Sequence, residues 1–558
     1  MNLLDKLELE TTCEVTDDDA LREKYKRDAS VFEMKPSLIA IPKNADDIKS
    51  LVKFAAKEKK NDPSISLSVR AGGTCMSGGS LTESILIQTD KLNKIIEVGD
   101  DYAIVEPGVY YRDFAKEIDK KDLKYPPFPS SWKLCTVGGI VSNNAGGEMT
   151  LQYGKTEEFV EKLKVILEDA EEYEIKKLTK EELDEKMRKN NFEGKFYKEL
   201  FSLFEKNKEE IENSKPIVSK NSTGYNIWRI WNGTTFDLPK LFTGSQGTLG
   251  IITEITLRLV KKQKHKALVV VFLNDFEKVP LLVRIISQYN PMSFESFDHY
   301  TTRLALKYFY EFGKSIKTSF PQTLKLFLPD LIPAIKNKIP KLTLMVQFET
   351  DTQQEIDISI KKLSYDLSVI KDISYKITYK KESEKYWAIR HDSFKLLKER
   401  VKGMYACPFI DDTIVPIEVL PQYFLEVYKI LEKEKLLYTI AGHIGNGNFH
   451  IIPLMDLSKK EERDKIWETN EKIFKLTWKY HGSISGEHND GLIRSPYLKD
   501  QYGSSVYAIF RNIKEIFDPH GIFNPHKKIG VTKEYAEKFM IHERPEMNAA
   551  YSSQTLVK

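Results

Sequence analysis

The apolar positions of the chain form short runs that alternate with longer amphipathic segments. The short apolar run "SLIAIP" and the run "SISLSVR" stand on either side of the segment 45–60. Asn44 precedes this segment at the position of a helix N-cap, acidic residues follow it, and lysines end it, as the helix dipole favours. The pattern predicts strand, helix and strand in this order, which is typical of a mixed α/β domain.

The same alternation continues along the chain. The segment "AIVEPGVYYRDFAKEIDKK" predicts a strand, a turn and a helix, and "KLKVILED" predicts another strand. Further on, "KALVVVFL" and "KLTLMVQFET" predict strands, and "EIDISIKKLSYDL" predicts a helix. These segments belong to two separate α/β sections, and a third section with several histidines follows them.

One stretch inside the first α/β section differs from its surroundings. Residues 168–216 are rich in charges, and Thr179 and Glu182 have the spacing of a capping box. We therefore expect a solvated helical insertion there. The predicted sections are an N-terminal extension over 1–29, a first domain over 30–262, a second domain over 263–430, a C-terminal segment over 431–530 and a tail over 531–558.

Composition narrows the class of protein. The chain has 558 residues, 41% of them hydrophobic and 30% charged, which suits a globular protein of two to four domains. Its net charge of +3 gives no electrostatic argument for binding nucleic acid. The four cysteines form no CxxC motif, so we expect no iron–sulfur or cysteine-based zinc site and a reducing compartment. No secretory signal or long apolar run is present, so the sequence predicts a cytoplasmic protein.

The segment 324–342, "LKLFLPDLIPAIKNKIPKL", combines apolar residues with lysines and has Asp330 as its one acid. Three prolines divide it into short pieces. Two interpretations remain open. The segment is either a surface subdomain packed on the second domain, or a patch that makes peripheral contact with an anionic membrane at the inner face of the cell membrane.

Three glycine-rich loops follow or precede predicted strands, at residues 70–80, 136–154 and 241–259. Glycines allow successive amide N–H groups to converge on an anion, and the hydroxyl residues beside them add donors. None of the loops has the GK[ST] of a Walker motif or a GxGxxG that opens a helix. Three such loops in one domain indicate a large, flat cofactor that carries phosphates.

Two histidines, His443 and His450, flank a Gly-Asn-Gly turn in "AGHIGNGNFH". The glycines disfavour a helix, and a tight turn can bring the first imidazole round to meet the second. Either the pair is a metal site or acid–base pair, or it belongs to a glycine-rich loop with two hydrogen-bonded histidines.

These motifs together resemble a known family. The three glycine loops resemble the flavin-binding loops of the vanillyl-alcohol-oxidase-type FAD domain. "GHIGNGNFH", "SGEHNDG" and "DPHGIFNPHK" resemble the C-terminal half of the branch that holds D-lactate dehydrogenases, glycolate oxidase flavin subunits and D-2-hydroxyglutarate dehydrogenases. The resemblance covers most of residues 30–530. It implies an α+β fold with a two-part PCMH-type FAD-binding domain, an α/β substrate (cap) domain with an antiparallel sheet, and a C-terminal helical segment.

The resemblance also implies which residues hold FAD. Loop 70–80 would hold the pyrophosphate, and the other two would line the ribose, adenine and flavin. No histidine lies in loop 70–80, so we expect noncovalent FAD, and Gln246 stands where the family usually has Glu. The expected cofactor residues are Arg70, Ala71, Gly72, Gly73, Thr74, Cys75, Ser77, Gly78, Thr136, Gly138, Gly139, Ser142, Asn143, Gly146, Gly147, Gly244, Gly247, Thr248, Gly250, Ile251 and Ile252.

The resemblance assigns the metal and the base as well. His443, His450 and Glu487 would bind a divalent metal, Zn²⁺ or Mn²⁺, and His488 would be the general base. Two residues depart from the family pattern, because Asn446 replaces a usual Asp and Asn489 a usual Gly.

A substrate carboxylate would be bound by an arginine. The resemblance places this residue at Arg390 in "YWAIRHDSF", and Arg494 is a weaker candidate. Arginine suits the task because its guanidinium can bind a carboxylate through two nitrogens.

The function predicted in this way is an FAD-dependent dehydrogenase that oxidises a D-2-hydroxy acid, with D-lactate first, to the 2-oxo acid. The metal would chelate the substrate, and hydride would pass to flavin N5. Glycolate and D-2-hydroxyglutarate are alternative substrates. An alkyl-dihydroxyacetonephosphate-synthase-like transferase and a non-catalytic flavoprotein subunit are alternative functions. The electron acceptor stays open among a quinone, a cytochrome, an electron-transfer flavoprotein and an iron–sulfur subunit, and we expect a homodimer.

Overall fold

The computed structural model describes residues 2–335, 339–400 and 403–544, with side chains described outside 331–335 and 393–400. The chain divides into two compact units. Unit 1 comprises Met1–Pro216, Lys220–Lys262 and Ser485–Met540. Unit 2 comprises Ile217–Ser219, Gln263–Ile484 and Ile541–Lys558.

The strands of unit 1 form two larger sheets and one small one. They are β1 Glu14–Thr16, β2 Leu38–Ile41, β3 Leu67–Arg70, β4 Ile85–Gln88, β5 Ile95–Val98, β6 Tyr102–Val105, β7 Leu123–Lys124, β8 Val160–Ile166, β9 Glu172–Thr179, β10 Thr235–Asp237, β11 Ile251–Arg258 and β12 Val260–Lys261. The first sheet has the order β1-β2-β4-β3, with β4 parallel to both β2 and β3. The second, β10-β9-β8-β11-β6-β5, is antiparallel throughout, and β12 pairs with β7.

The helices that accompany these strands are α1 Leu3–Glu10, α2 Asp19–Tyr25, α3 Ala45–Glu58, α4 Tyr111–Asp119, α5 Val137–Asn143, α6 Thr150–Tyr153, α7 Lys180–Arg188, α8 Phe192–Lys206, α9 Lys208–Asn213 and α10 Pro239–Phe242. Two of them begin at N-caps that the sequence predicts. The Asn44 side chain accepts a hydrogen bond from the backbone N–H of Asp47, which confirms it as the cap of α3. The capping box of Thr179 and Glu182 is also confirmed, at the start of α7.

The charged insertion 168–216 differs from the expectation of solvated helices. It opens with β9, which pairs with β8 in the second sheet and buries Ile175 and Leu178. Its longest helix, α8, buries an aromatic face that includes Phe196 and Phe204. The many charges occupy the outer positions of these elements, and they hid the apolar spacing that ties the insertion to the core of unit 1.

Unit 2 contains one antiparallel sheet of seven strands within its described residues, in the order β16-β13-β15-β14-β18-β19-β17. The strands are β13 His265–Leu273, β14 Ser293–Asp298, β15 Leu342–Thr350, β16 Ile373–Thr378, β17 Tyr405–Ala406, β18 Leu437–His443 and β19 Asn448–Met455. β13 and β15 pair along their whole length, as their apolar, β-branched sequences suggest. The predicted α+β fold class with an antiparallel cap sheet is confirmed.

The helices of unit 2 contact this sheet or one another. They are α11 Val279–Ser287, α12 His299–Lys307, α13 Phe309–Ser315, α14 Phe320–Ile335, α15 Gln353–Ser368, α16 Lys380–Arg400, α17 Leu420–Lys433 and α18 Lys460–Lys479. The boundary at 262/263 coincides with the division between the units. The boundary at 430/431 does not, because β18 pairs with β14 and so completes the sheet that begins before it.

After Ile484 the chain returns to unit 1 with α19 Gly491–Arg494, α20 Leu498–Phe517 and α21 Lys533–Glu537. Helix α20 places Phe510, Ile513 and Phe517 in the core of unit 1. The segment 324–342 is partly helical in α14, while residues 336–338 lie outside the described residues, as does 545–558 of the predicted tail. Among the described residues, no helix combines the length and the apolar character needed to cross a bilayer.

Candidate functional site

The three glycine loops of unit 1 meet around one open cleft. Each loop contributes backbone or small side chains to its wall. Fourteen of the residues expected to hold FAD line it, and these are Ala71, Gly72, Gly73, Thr74, Cys75, Thr136, Gly138, Gly139, Ser142, Asn143, Gly247, Gly250, Ile251 and Ile252.

Glycine is required where these loops approach other backbone. A Cβ atom on Gly72 would lie 2.2 Å from the carbonyl oxygen of Leu134, and one on Gly138 would lie 2.5 Å from Cβ of Pro107. Gly73 has a φ of +67°, in the left-handed region that L side chains rarely adopt. The glycines therefore let three separate segments close up around the cleft.

One polar feature of the cleft suits a phosphate-bearing cofactor. The hydroxyl of Ser80 is buried, lines the cleft and has no hydrogen-bond partner within the described part of the chain. Such a hydroxyl can donate to a phosphate oxygen. The N–H groups at the start of α5 already have acceptors, because Gly138 donates to the carbonyl oxygen of Pro107 and Gly139 to the hydroxyl of Thr136. The open cleft and the Ser80 hydroxyl therefore fit FAD.

Seven expected cofactor residues are not among those that line this cleft, namely Arg70, Ser77, Gly78, Gly146, Gly147, Gly244 and Thr248. Two of them have contacts with other parts of unit 1. The Arg70 guanidinium donates to the carbonyl oxygens of Arg27 and Tyr25, at 2.8 Å and 3.4 Å. The carbonyl of Ser77 accepts from Leu492 N–H. Arg70 and Ser77 therefore hold the first glycine loop in place, a role that sequence position alone does not separate from cofactor contact.

Other residues line the cleft that were not among the expected cofactor residues. Those within the three glycine loops are Met76, Gly79, Ser80, Ile140, Ala145 and Gln246, and those outside the loops are Val69, Thr89, Pro107, Pro129, Ser130, Ser131 and Cys135. Ser130 and Ser131 precede the second glycine loop, and their small hydroxyl side chains were the signal that could have revealed them.

The loop after Ile484 places Glu487 and His488 differently, although they are neighbours in sequence. The Glu487 carboxylate is buried, and its Oε2 lies 2.6 Å from Nζ of Lys220, which is also buried. His488 lines the cleft, with its Nε2 3.8 Å from Oε1 of Glu487. Asn143 of the second glycine loop donates to the Glu487 carbonyl oxygen at 3.0 Å. The predicted base therefore stands in the wall of the proposed flavin site.

Asn489, which replaces the family's usual Gly, joins several loops of unit 1. Its φ of +66° keeps the left-handed turn that a glycine would adopt. Its Nδ2 donates to the carbonyl oxygens of Asn143 and Gly244, and its Oδ1 accepts from Nζ of the buried Lys528. Arg494 is fully buried and donates to the Asn489 carbonyl oxygen, so it supports this turn and makes a poor substrate contact.

In unit 2, a hairpin brings His443 and His450 together. They belong to β18 and β19, and the residues between them form a tight turn in which Gly447 has a φ of +74°. The ring centroids are 5.1 Å apart and the rings nearly perpendicular. At the turn, Asn446 donates through Nδ2 to the hydroxyl of Ser219 at 3.2 Å, and that hydroxyl donates to the Asn446 carbonyl oxygen at 2.8 Å.

Both imidazoles are oriented by a partner at Nδ1. For His443 the partner is Oε1 of the buried Glu295, at 2.6 Å, and for His450 it is the carbonyl oxygen of Asp411, at 2.7 Å. An acceptor at Nδ1 places the ring proton there and leaves the lone pair on Nε2, the arrangement that metal-binding histidines show. A carboxylate oxygen of Asp412 lies within 4.8 Å of a His450 ring nitrogen. Imidazole nitrogens and a carboxylate oxygen are ligands that suit a divalent metal.

Arg390 has a partner inside unit 2 that the sequence did not reveal. Its Nη2 and Nε lie 3.0 Å and 3.1 Å from Oε2 of Glu295, whose other oxygen orients His443. This edge of the guanidinium is therefore directed at Glu295. Glu295 is an acid within the buried strand β14, where charged residues are rare, and that was the signal that could have revealed it.

The predicted metal ligands come from both units, the two histidines from unit 2 and Glu487 from unit 1. Lys220 and Glu295, which contact two of these ligands, were not predicted. Both lie far from their partners along the chain.

Comparisons with known proteins support an FAD-binding fold. Residues 36–176 match the family model for an FAD binding domain, and residues 262–528 match that for the C-terminal domain of FAD linked oxidases. The chain is 26% identical over 512 residues to D-2-hydroxyglutarate dehydrogenase of Escherichia coli (strain K12), covering 90% of this chain and 49% of that protein. It is 25% identical over 524 residues to glycolate oxidase subunit GlcD of Bacillus subtilis (strain 168), covering 92% and 93%.

Solved structures share the fold at low identity. Alkyldihydroxyacetonephosphate synthase matches with a TM-score of 0.65 at 15% identity, over 92% of this chain and 83% of that one. The 4-ethylphenol oxidase of Gulosibacter chungangensis matches with a TM-score of 0.66 at 16% identity, over 92% and 94%.

The chain spans about half the length of four of the D-2-hydroxyglutarate dehydrogenases that it matches, but most of the length of a fifth and of the glycolate oxidase subunits. Both family models, the relatives and the fold point to one group of enzymes. The chain belongs to the FAD-linked oxidoreductases with a PCMH-type FAD-binding domain and an FAD-linked oxidase C-terminal domain.

Proposed function

We propose that the protein is an FAD-dependent dehydrogenase that oxidises a D-2-hydroxy acid to the 2-oxo acid, with His488 as the general base. The observation that carries the proposal is the position of His488, whose imidazole is the only one among the described residues that line the cleft. Oxidation of an alcohol needs a group that removes the hydroxyl proton, and imidazole is suited to this near neutral pH.

FAD would lie in the cleft of unit 1 and be held without a covalent bond. Gly72 and Gly138 allow the loops around the cleft to approach neighbouring segments closely, and the Ser80 hydroxyl offers a donor. When bound, FAD supplies a hydride acceptor at N5. Loop 70–80 contains no histidine to which FAD could be attached covalently. Acid precipitation should therefore release yellow FAD into the supernatant, and flavin retained in the pellet would contradict noncovalent binding.

A divalent metal, Zn²⁺ or Mn²⁺, would be held by His443, His450 and Glu487. When bound, the cation supplies a Lewis acid that lowers the pKa of the substrate hydroxyl. Glu295 and the Asp411 carbonyl would keep the two histidines in the tautomer that presents Nε2. Asn446 carries no charge where the family usually has a carboxylate, so we expect modest metal affinity.

The remaining steps belong to residues of this chain. His488 would take the proton of the α-hydroxyl group. Asn489 would keep this loop in place through its bonds to the two other glycine loops. Arg390 would hold Glu295 and, through it, His443, while the carboxylate of the substrate would be neutralised by the metal.

The substrate class follows from this chemistry, because a 2-hydroxy acid offers a carboxylate and a hydroxyl that one metal can chelate. From the sequence, D-lactate is the first expected substrate. The relatives' names add D-2-hydroxyglutarate and glycolate, so these three compounds form the substrate panel. Likeness to alkyldihydroxyacetonephosphate synthase is at the level of the fold and adds no second function.

Anaerobic flavin bleaching tests the proposal. The FAD-loaded protein, with Mn²⁺ or Zn²⁺ added, is mixed with the D and L forms of lactate and 2-hydroxyglutarate and with glycolate. We expect loss of the oxidised flavin absorbance with a D-2-hydroxy acid and no loss with its L form. His488→Asn is the matched control and should retain FAD without bleaching. Dithionite reduction shows that the flavin is competent, so a failure of every D acid would overturn the proposal.

A further inference from the structure

Helix α14 of unit 2 carries a row of exposed apolar side chains. Phe320, Leu324 and Leu328 are 52%, 39% and 47% exposed, far more than most apolar residues of the chain. They are spaced four residues apart, so they occupy one face of the helix. Tyr310 of α13 is 38% exposed and packs edge-on against Phe320, which extends the apolar surface.

The opposite face of α14 fixes the helix in unit 2. Thr323 and Phe327 are fully buried, and Phe327 packs against Phe309. A Cβ atom on Gly313 of α13 would lie 2.1 Å from the Thr323 hydroxyl, so the two helices are in close contact. The exposed row is therefore the outer surface of a well-packed helix.

Positive charges surround this apolar row. The exposed cations on α12 to α14 and their connections are Arg303, Lys307, Lys314, Lys317 and Lys325. The acids of the same stretch are Glu311 and Asp330, and Asp330 is paired with Lys385. We call the exposed apolar residues Tyr310, Phe320, Leu324 and Leu328, together with Lys314, Lys317 and Lys325, the basic apolar patch.

We propose that the basic apolar patch binds the surface of an anionic lipid membrane, with Phe320, Leu324 and Leu328 in the headgroup region and the lysines on the lipid phosphates. Apolar side chains combined with lysines are characteristic of interfacial helices. Each lysine near an anionic surface adds to binding. Contact of this kind is peripheral, and it does not depend on the substrate or metal of the proposed function.

The lysines of the basic apolar patch also disfavour a protein at this surface, whether a different protein or a second copy of this chain. Lysine is depleted at the centres of protein–protein interfaces. In a two-fold symmetric dimer the same patch faces itself, so Lys314, Lys317 and Lys325 would meet like charges. A lipid surface with negative headgroups has the complementary charge.

Vesicle sedimentation of the FAD-loaded full chain tests the proposal. Vesicles of phosphatidylcholine with 30% phosphatidylglycerol are compared with phosphatidylcholine alone, at 50 mM and 500 mM NaCl. We expect binding to the anionic vesicles at low salt and a fall in the partition coefficient of at least about tenfold in high salt or without phosphatidylglycerol, because salt screens the attraction. Absence of binding at low salt would overturn the proposal.

Two surface variants locate the contact. Leu324→Gln/Leu328→Gln should lower the partition coefficient about tenfold or more, and Lys314→Glu/Lys325→Glu should abolish the preference for anionic lipid. Leu425→Gln alters an equally exposed leucine (49%) on α17 and should bind as the wild type does. Unchanged binding of both patch variants would overturn the proposal. So would a change of mass in solution as the main effect of Leu324→Gln/Leu328→Gln, because the patch would then be a contact between copies of the chain.

Discussion

The ammonium of Lys220 lies 2.6 Å from Oε2 of Glu487, and both side chains are almost completely buried. The carboxylate proposed as a metal ligand thus already has a cationic partner within unit 1. Removing one member of a buried ion pair typically costs about 3–5 kcal/mol, because the other charge is left without compensation. A divalent cation bound at Glu487 would therefore compensate the negative charge of this carboxylate. When no cation is bound, Lys220 does so.

Lys220→Met should make the protein more dependent on metal. Without metal, we expect the free energy of unfolding to fall by about 3–5 kcal/mol. With Mn²⁺ or Zn²⁺ added, the melting temperature should rise further in the variant than in the wild type, because the cation replaces the lost positive charge. Thermal unfolding with metal and with EDTA measures both effects.

Lys155→Met is the matched control for this experiment. Lys155 is also a buried lysine of unit 1, and it donates to the Asn221 carbonyl oxygen and to the Ser222 hydroxyl at 2.7 Å. The control should lose stability but show the metal-induced shift of the wild type. Equal shifts in Lys220→Met and the wild type would contradict a link between Glu487 and metal.

Local features of the fold could be predicted because their causes lie within a few residues. Asn44 caps the helix that directly follows it, and Gly445 and Gly447 bend the chain between His443 and His450. The glycine loops likewise carry their chemistry in their own composition. For such features the sequence pattern and the structure agree, since the interacting groups are neighbours along the chain.

Partners that are distant in sequence could not be predicted. Lys220 and Glu487 are separated by 267 residues, and Glu295 and His443 by 148. No periodicity or motif links such pairs, and only the folded chain brings them together. The strand β9 was missed for a different reason, because its charged outer residues concealed the buried Ile175 and Leu178.

Glu295→Ala should weaken metal binding although Glu295 is not itself a proposed ligand. The carboxylate accepts from Nδ1 of His443 and so keeps the lone pair on Nε2. Loss of such a supporting group typically lowers metal affinity about 10–100-fold. Glu295→Gln retains an oxygen acceptor and should fall between Ala and the wild type. Isothermal titration with Mn²⁺ measures this, and an Ala variant of unchanged affinity would contradict the orienting role.

Arg390→Lys distinguishes two roles for the guanidinium. If Arg390 only bound the substrate carboxylate, the variant would raise KM and leave metal affinity unchanged. Its Nε and Nη2 both face Glu295, and a lysine cannot reproduce that two-nitrogen contact. We therefore expect metal affinity to fall several-fold together with kcat. Metal titration beside steady-state kinetics checks this, and a change confined to KM would restore the substrate role.

The stability of unit 1 should depend on pH through Lys527. Burial lowers the pKa of this lysine to about 8, and the nearby Asp28 and Cys75 oppose part of that shift. Between pH 8 and the unfolded pKa of about 10.4, the unfolded chain holds a proton that the folded protein has released. The contribution of Lys527 to the free energy of unfolding therefore rises with pH over this pH range. Below pH 8 the buried lysine is charged, and it destabilises the folded protein to the full extent.

Lys527→Met removes this titration. At pH 7 the free energy of unfolding of the variant should exceed that of the wild type. By pH 10 the difference between the two free energies should have changed by about 2–3 kcal/mol in favour of the wild type. Denaturant unfolding of both proteins at the two pH values gives the difference, in which other titrating groups cancel. Lys538→Met, at an exposed lysine of the same unit, is the control. A difference independent of pH would contradict the lowered pKa.

Glu487→Gln and His488→Asn should separate two neighbouring tasks. The Glu487 carboxylate is turned towards Lys220, whereas the His488 ring lines the flavin cleft. Glutamine is a neutral and weaker ligand, so Glu487→Gln should lose metal as well as turnover. His488→Asn should retain both metal and FAD, yet lose about 10²–10⁴-fold in rate, which is typical of removing a general base. Metal analysis, flavin content and turnover of the two variants give the comparison.

Metal binding and chelator sensitivity of the wild-type protein are needed to interpret the two variants. If it binds Mn²⁺ or Zn²⁺ and chelators abolish turnover, retention of metal by His488→Asn assigns the base and its loss from Glu487→Gln assigns the ligand. If chelators leave turnover unchanged, the metal assignment is wrong. Lys220 would then be the permanent partner of Glu487, and His443 and His450 would accept hydrogen bonds from the substrate at Nε2. In that case Asn446→Asp, which restores the charge usual in the family, should still bring no metal-dependent gain in turnover.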